Sequence, residues 1–152
     1  MRRLFPWMGM FVLLAGVCAG AEDWTERDKL LGSWQLEGTS NGSPATEWTF
    51  ATSGYDLQVT EVDGDKMVAK FKCSISGSNC EIKSSGKKAT LSMWYLGAKL
   101  VQMETKGSEV VKRRFSVLAP GDIMEMEVIP VVPNGKTETF RFRRMPTSAK
   151  SK

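Results

Sequence analysis

Histidine is absent from the 152-residue chain. Its absence excludes the Ser-His and Cys-His pairs that activate nucleophiles, and it removes the imidazole ligand on which most zinc, copper and iron sites depend. Only three cysteines occur, and no glycine-rich phosphate loop is found between a strand-like and a helix-like segment. The sequence therefore predicts no metal, no other cofactor and a protein that is not an enzyme.

Carboxylates are the remaining candidates for chemistry, and each group leaves two interpretations open. Glu61, Asp63 and Asp65 have the spacing of a calcium loop, but Asp-Gly between strand-like runs is more typical of a hairpin turn. Glu125 and Glu127 share one face, as the catalytic pair of a glycan- or lipid-modifying enzyme would. Their alternation with methionines favours a solvent-exposed face instead.

Long apolar runs are absent outside the first 21 residues. That segment has a basic start, an apolar stretch shorter than a membrane span and an Ala-x-Ala end, which predicts a secretory signal cleaved after Ala21. We therefore expect a secreted or periplasmic protein with no stable membrane span. A lipid anchor at Cys18 is the alternative, which the bulky Val17 before it disfavours.

The charge of the mature chain is close to balanced. Cleavage removes Arg2 and Arg3 but no acid, so the net charge falls from +4 to +2. No concentrated basic face of the kind that neutralises phosphates is present, and nucleic acid is not an expected partner. We divide the chain into a signal peptide at 1–21, one domain at 22–146 and a disordered basic tail at 147–152.

Cys73 and Cys80 are the two cysteines of the mature chain. The segment between them reads Ser-Ile-Ser-Gly-Ser-Asn, which is typical of a turn joining neighbouring strands. In an exported protein this pair predicts a structural disulfide. A redox-active pair is the alternative, but the spacing is not Cys-x-x-Cys.

The mature chain reads as one short helix followed by strands. Glu22 to Leu31 is the only helical candidate. Beyond it, period-two alternation predicts strands at 33–37, 46–51, 56–61, 67–74, 80–83, 89–95, 99–104, 109–118, 123–129 and 138–144. The connections are short and contain glycine, so neighbouring strands are antiparallel. We predict an all-β, up-and-down meander of about eight to ten strands closed into a barrel.

The start of the first strand carries a resemblance to known barrels. Gly32-x-Trp34 after a short helix resembles the opening of the calycin group, which includes the lipocalins, the fatty-acid-binding proteins and bacterial lipocalin-like domains. The resemblance implies a lipocalin-like barrel in which an arginine of the last strand packs against Trp34. Arg141 and Arg143 are the candidates for that structural role, with Arg144 as a third.

The sequence differs from fatty-acid-binding proteins in two ways, and it is therefore more similar to the bacterial lipocalin-like domains. Fatty-acid-binding proteins insert a helical lid after the first strand, whereas residues 38–45 form a bare loop. Their last strand also carries Arg-x-Tyr to hold a carboxylate, and the corresponding Arg141-Phe142-Arg143 lacks the tyrosine.

The resemblance implies a non-catalytic binding protein for a small hydrophobic or amphipathic ligand, such as a lipid or fatty acid. Alternation places Arg113 on the same face as Phe115, where it would meet an anionic head group. The predicted lining residues, chosen because they are aromatic, adaptable or charged, are Trp48, Met67, Phe71, Met93, Arg113, Phe115 and Met126.

A protein-interaction module is the alternative function. Small disulfide-bearing barrels include lysozyme inhibitors, and an accessory of envelope assembly belongs to the same class. The hairpin between Cys73 and Cys80 would then dock to the protein partner, because a stapled loop is preorganised for binding. A packed interior favours this alternative, and an open apolar cavity favours the ligand carrier.

Overall fold

The computed structural model describes residues 25–38 and 45–147. It contains one short helix, α1, at 25–28 and ten strands. The strands are β1 (Gly32–Leu36), β2 (Glu47–Ser53), β3 (Asp56–Asp63), β4 (Lys66–Ser74), β5 (Cys80–Ser84), β6 (Lys87–Leu96), β7 (Lys99–Lys106), β8 (Glu109–Leu118), β9 (Ile123–Val132) and β10 (Glu138–Arg144). The predicted signal peptide, Cys18 and all of the predicted tail beyond Thr147 lie outside the described residues.

The strands form one antiparallel meander, as the short connections predict. Their order is β4-β3-β2-β1-β10-β9-β8-β7-β6-β5, so the first strand pairs with the last. This pairing wraps the sheet into a nearly closed barrel and confirms the predicted fold class. Within the described residues the helix ends at Asp28 and not at Leu31 as predicted, because hydrogen bonds of the 3₁₀ type, such as Leu31 N to Asp28 O at 3.1 Å, replace the last helical turn.

The barrel is incomplete between β4 and β5, the two edge strands of the described sheet. The predicted disulfide is confirmed: Cys73 at the end of β4 is bonded to Cys80 at the start of β5. At the opposite end of this gap the backbone N–H of Ser85 donates to the carbonyl of Val68 at 2.9 Å. The gap is therefore fastened at both ends, covalently at one and by a hydrogen bond at the other.

A groove of about 610 Å³ lies along the gap. Its apolar lining residues are Phe71, Ile82 and Ala89, which belong to the buried core. Exposed lysines of β4, β5 and β6 flank these residues. The gap is thus a place where core side chains of the barrel border a surface groove.

The core occupies the barrel interior because alternate side chains of each strand point inward. The largest fully buried side chains are Trp34, Trp48, Phe50, Phe115, Phe142, Leu91, Met93, Leu100, Met124, Met126, Gln102 and Val59. Most are large and apolar, so their burial supplies the main driving force for folding.

Arg144 closes the end of the barrel next to α1. Its guanidinium carbon lies 4.1 Å from the ring centre of Trp34, and its N–H groups donate to the carbonyl oxygens of Lys29 and, at 2.7 Å, Leu31. Its Nε donates to Gly121 O at 3.0 Å. Arg144, the third candidate named for the last strand, is therefore the arginine that packs against Trp34 as the resemblance implies.

The assignment of Arg141 and Arg143 to that position is wrong. Phe140 and Phe142 point into the barrel, so alternation turns the two arginines outward. Arg141 lies 3.8 Å from Glu125 and Arg143 lies 2.8 Å from Glu37, both in exposed ion pairs. Gly32 does have the structural role expected of it, because its φ of +121° is closed to other residues and a Cβ there would lie 3.0 Å from Arg144.

Candidate ligand-binding site

Five polar side chains are buried among the described residues. Ser84 lies at the end of β5, and the other four lie in the interior close to its aromatic residues. These four are Glu61 on β3, Gln102 and Glu104 on β7, and Arg113 on β8. Register places Gln102 directly opposite Arg113, and it places Glu61 directly opposite Trp48 of β2. We call Trp48, Glu61, Gln102, Glu104 and Arg113 the interior polar cluster.

The charge of Arg113 is already matched within the cluster. One of its terminal nitrogens lies 3.5 Å from a carboxylate oxygen of Glu104, and both side chains are about nine-tenths buried. The guanidinium also lies 5.9 Å from the ring centre of Trp48, within the range of a cation–π contact. The predicted inward orientation of Arg113 is therefore observed, but the residue faces a carboxylate that the sequence analysis did not anticipate.

Three polar atoms of the cluster have no hydrogen-bond partner among the described residues. Two are donors, Nε1 of Trp48 and Nε of Arg113, and one is an acceptor, Oε1 of Gln102. Gln102 is fully buried, and its Nε2 makes only a weak contact of 3.6 Å with Sδ of Met93. Unsatisfied buried polar groups are costly and cluster at functional sites, so the interior polar cluster is the candidate site.

Glu61 carries a perturbed carboxyl group. Burial raises its pKa from 4.5 to about 7, with Arg113 acting in the opposite direction and Glu104 adding to the rise. Near neutral pH this side chain is therefore protonated in part of the molecules. A protonated carboxyl group can donate a hydrogen bond as well as accept one, which widens the range of polar groups the site can hold.

Aromatic rings form the apolar wall beside the cluster. The ring centre of Trp48 lies 5.1 Å from that of Phe115, and Phe50 contacts Phe115 edge-on at 5.2 Å. Met93 and Met126 are fully buried in the same interior. Methionine side chains adapt their shape at low cost, so this wall can rearrange around an apolar chain.

The predicted lining residues are brought together with one exception. Trp48, Met93, Arg113, Phe115 and Met126 are buried in the barrel interior, and Phe71 borders the groove at the gap. Met67 does not belong with them and is 58 % exposed. The register between β3 and β4 shifts between Glu61 and Val62, so Met67 pairs with the outward-facing Val62 instead of continuing the inward row of Ala69.

The predicted carboxylate groups lie apart from one another or outside the barrel. Glu61 is buried, whereas Asp63 and Asp65 are exposed at the turn between β3 and β4, so the three carboxylates do not converge on one point. Glu125 and Glu127 lie on the outer face in ion pairs with arginines, Glu127 at 2.6 Å from Arg114. The enzyme interpretation required this second pair inside the barrel, and its geometric premise is wrong.

Sequence reasoning missed Gln102 and Glu104, and it placed Glu61 at the end of a strand beside a turn without predicting that the side chain is buried. The signal for all three is present in the alternation, because Glu61 shares a face with Leu57 and Val59. Gln102 and Glu104 likewise follow Leu100 at intervals of two. A polar residue in register with buried apolar neighbours marks an interior polar group, which hydrophobic periodicity alone passes over.

A second, smaller pocket of about 190 Å³ lies beside α1. Its lining includes Leu31, Leu57, Ile75 and Tyr95, and Arg27 stacks on the Tyr95 ring at 4.7 Å. Trp48, Gln102 and Arg113, which carry the unpaired polar atoms, do not line this second pocket. The interior polar cluster is therefore the stronger candidate for a ligand-binding site.

These features define a nearly closed antiparallel β-barrel with a group of polar residues in an apolar interior. Within the described segments, no helix has the length and apolar character needed to cross a membrane. Among the same residues, no group of three or more Cys, Asp or Glu side chains is placed to hold a metal ion.

Comparison with solved structures assigns the fold to this class. A Schistosoma mansoni fatty acid binding protein in complex with arachidonic acid matches with a TM-score of 0.66 and 18 % identity, covering 80 % of this chain and 99 % of that one. The REP1-NXSQ fatty acid transporter matches with a TM-score of 0.64 and 19 % identity, covering 79 % and 98 %. A secretory abundant heat soluble protein of Ramazzottius varieornatus matches with a TM-score of 0.65 and 10 % identity, covering 77 % and 96 %.

These identities show a shared fold. No family model matches the chain, and a comparison with curated proteins finds no match. The similarity to calycin barrels is thus confirmed, whereas the likeness to bacterial domains stays a prediction.

Proposed function

We propose that this protein binds one small hydrophobic or amphipathic molecule inside the barrel and performs no reaction on it. The observation that carries the proposal is the presence of unpaired polar atoms on Trp48, Gln102 and Arg113 in an otherwise apolar interior. A ligand with an apolar body and one polar end would satisfy these atoms and pack against the aromatic wall.

The comparisons support the same function class. Two of the similar structures are a fatty acid binding protein holding arachidonic acid and a fatty acid transporter, which are binding and transport proteins rather than enzymes. In this chain Met93, Met124 and Met126 are fully buried and help to fill the interior, and a filled interior counts toward the protein-interaction alternative. The ligand would therefore enter by displacing adaptable side chains.

We place the access route at the gap between β4 and β5, because core residues border the groove there. A bulky thiol-reactive label on Lys83→Cys, beside the groove, should slow ligand uptake. The same label on Arg143→Cys, on the outer face of β10, should leave uptake unchanged. Equal uptake by both labelled proteins would overturn this route.

Native and denaturing mass spectrometry tests the proposed function. The protein is purified from an oxidising compartment, and a second sample is incubated with a total lipid extract. We expect a native mass above that of the polypeptide that disappears on denaturation and can be extracted into organic solvent. If neither sample carries such a molecule, ligand binding is wrong and the protein-interaction alternative takes its place.

A matched pair of double variants links that mass to the site. The interior variant, Glu104→Met with Arg113→Met, removes both partners of the buried ion pair together, so neither partner is left without the other. The corresponding outer-face change is Arg114→Met with Glu127→Met. We expect only the interior variant to lose the bound molecule, and loss from both variants would contradict the assignment of the site.

The alternative protein-docking role depends on the loop between Cys73 and Cys80. In the structure this loop lies against β6: Gly77 N donates to Met93 O at 2.8 Å, and Ser76 pairs with Trp94. A loop held in this way does not project from the barrel. The loop geometry therefore does not support docking, although the filled interior does. The unpaired polar atoms of the interior polar cluster are the observation that favours ligand binding.

We also propose that the protein is exported with cleavage after Ala21, on the sequence of its first 21 residues. The exported protein should begin at Glu22, which N-terminal sequencing reads directly. A lipid-modified N-terminus at Cys18 would replace this proposal with the lipid-anchor alternative.

A further inference from the structure

The interior polar cluster contains more acidic than basic side chains. Among the described residues, the buried ionisable side chains are Glu61, Glu104 and Arg113. Arg113 is the single cation of the three, and it lies 3.5 Å from Glu104. A ligand carboxylate placed beside Arg113 would also face Glu104, and like charges that share a low-dielectric site repel strongly.

A ligand that only accepts hydrogen bonds cannot pair with all three unpaired atoms of the cluster. Trp48 Nε1 and Arg113 Nε need an acceptor, whereas Gln102 Oε1 needs a donor. An ionised carboxylate only accepts, so it would leave Gln102 unpaired. A hydroxyl or an N–H-bearing amide both donates and accepts, and either group could satisfy both kinds of atom.

Resting on the function proposed above, we propose that the interior polar cluster selects uncharged amphiphiles whose polar end carries a hydroxyl or an amide, and discriminates against free fatty acids. Glu104 is the specificity-determining residue, because it neutralises the cation that an anionic head group would otherwise use. Gln102 adds to the selectivity by requiring a donor from the ligand.

Binding of two ligands with the same acyl chain tests this proposal. N-lauroylethanolamine is uncharged and has both an amide and a hydroxyl, whereas laurate is an anion. Calorimetric titration at about pH 8 should show the ethanolamide binding about tenfold or more tightly than laurate. Laurate binding as tightly as the ethanolamide, or more tightly, would overturn the selectivity but leave the proposed function intact, whereas binding of neither would overturn both.

The variant Glu104→Gln tests the role assigned to Glu104. It keeps the size of the side chain and frees Arg113 from its carboxylate partner, so laurate affinity should rise about tenfold while ethanolamide affinity changes less than about threefold. Glu127→Gln is the matched control, since it removes a carboxylate from an arginine pair on the outer face. An equal rise for both ligands in Glu104→Gln would contradict the charge argument. If that variant does not fold, the wild-type affinity ratio still decides the proposal.

Discussion

The guanidinium of Arg144 lies over the ring of Trp34 at 4.1 Å and joins the two ends of the described chain. Arg144 is the last residue of β10 and Trp34 lies in β1, so the contact falls where the first and last strands pair. The arginine also binds the carbonyl groups of Lys29 and Leu31 between α1 and β1. One side chain therefore fastens the segment before the first strand to the strand that completes the sheet.

Replacing Arg144 with Met should lower the free energy of unfolding by about 3 kcal/mol, because charge-assisted hydrogen bonds to partly buried carbonyl groups are lost. Urea denaturation measures this change. Arg143→Met is the control, since its side chain is 66 % exposed and its loss should cost about 0.5 kcal/mol or less. Equal losses in the two variants would show that the contact with Trp34 contributes nothing specific.

Gly32→Ala should also destabilise the barrel, by about 2–3 kcal/mol. The φ of +121° at this residue is closed to alanine, and the new Cβ would lie 3.0 Å from Arg144. Gly107→Ala is the comparison for both causes together, because that glycine has a φ of +60°, which alanine adopts at moderate cost, and open space around it. Thermal or urea unfolding should show a loss of about 1 kcal/mol there. A larger loss at Gly107 would contradict this account of Gly32.

Most of the fold could be predicted from the sequence, because local signals specify it. Alternation defines the strands, and short glycine-containing turns force each strand to pair with the next. The spacing of Cys73 and Cys80 indicates the disulfide for the same local reason. The gap between β4 and β5 could not be predicted, since whether two consecutive strands form a ladder depends on closure of the whole barrel.

The candidate site was only partly predictable. Alternation identifies Arg113 as inward-facing because Phe115 and Val117 share its face. Its pairing with Glu104 depends on the register between β7 and β8, which the sequence does not state. Met67 shows the opposite error: simple alternation predicts that it faces inward, but the irregularity in the β3–β4 ladder pairs it with the outward-facing Val62.

The disulfide should stabilise the barrel mainly at the gap. Replacing Cys73 and Cys80 with Ser is expected to lower the free energy of unfolding by about 2–3 kcal/mol, the amount that the loss of a short closed loop predicts. Hydrogen exchange should become faster at the Ser85 amide, whose bond to Val68 fastens the other end of the gap.

Two controls define the interpretation of that change. The amide of Met145 donates to the carbonyl of Ser33, away from the gap. Its rate of hydrogen exchange should change only if the global stability of the protein changes. A reductant should reproduce the loss in the wild type and have no effect on the double variant. If Ser85 and Met145 change by the same factor, the disulfide acts on the whole barrel and not on the gap.

The burial of Glu61 makes the stability of the protein depend on pH. Its pKa in the folded protein, about 7, lies above the ordinary value of 4.5, so the folded state holds the proton more tightly than the unfolded state. The resulting stabilisation is fully present below about pH 4.5 and is lost as the pH rises through about 7. The shift corresponds to about 3 kcal/mol in the free energy of unfolding.

Glu61→Gln removes the carboxyl group that titrates, so the free energy of unfolding should fall less between about pH 4.5 and 7 than it does in the wild type. Urea denaturation at intervals between about pH 5 and 8 should show the variant gaining on the wild type as the pH rises, because glutamine stays neutral where Glu61 must lose its proton. Glu127→Gln, on the outer face, should keep the wild-type profile. Parallel profiles for Glu61→Gln and the wild type would mean that the Glu61 carboxyl titrates alike in the folded and unfolded chain, which its burial opposite Trp48 argues against.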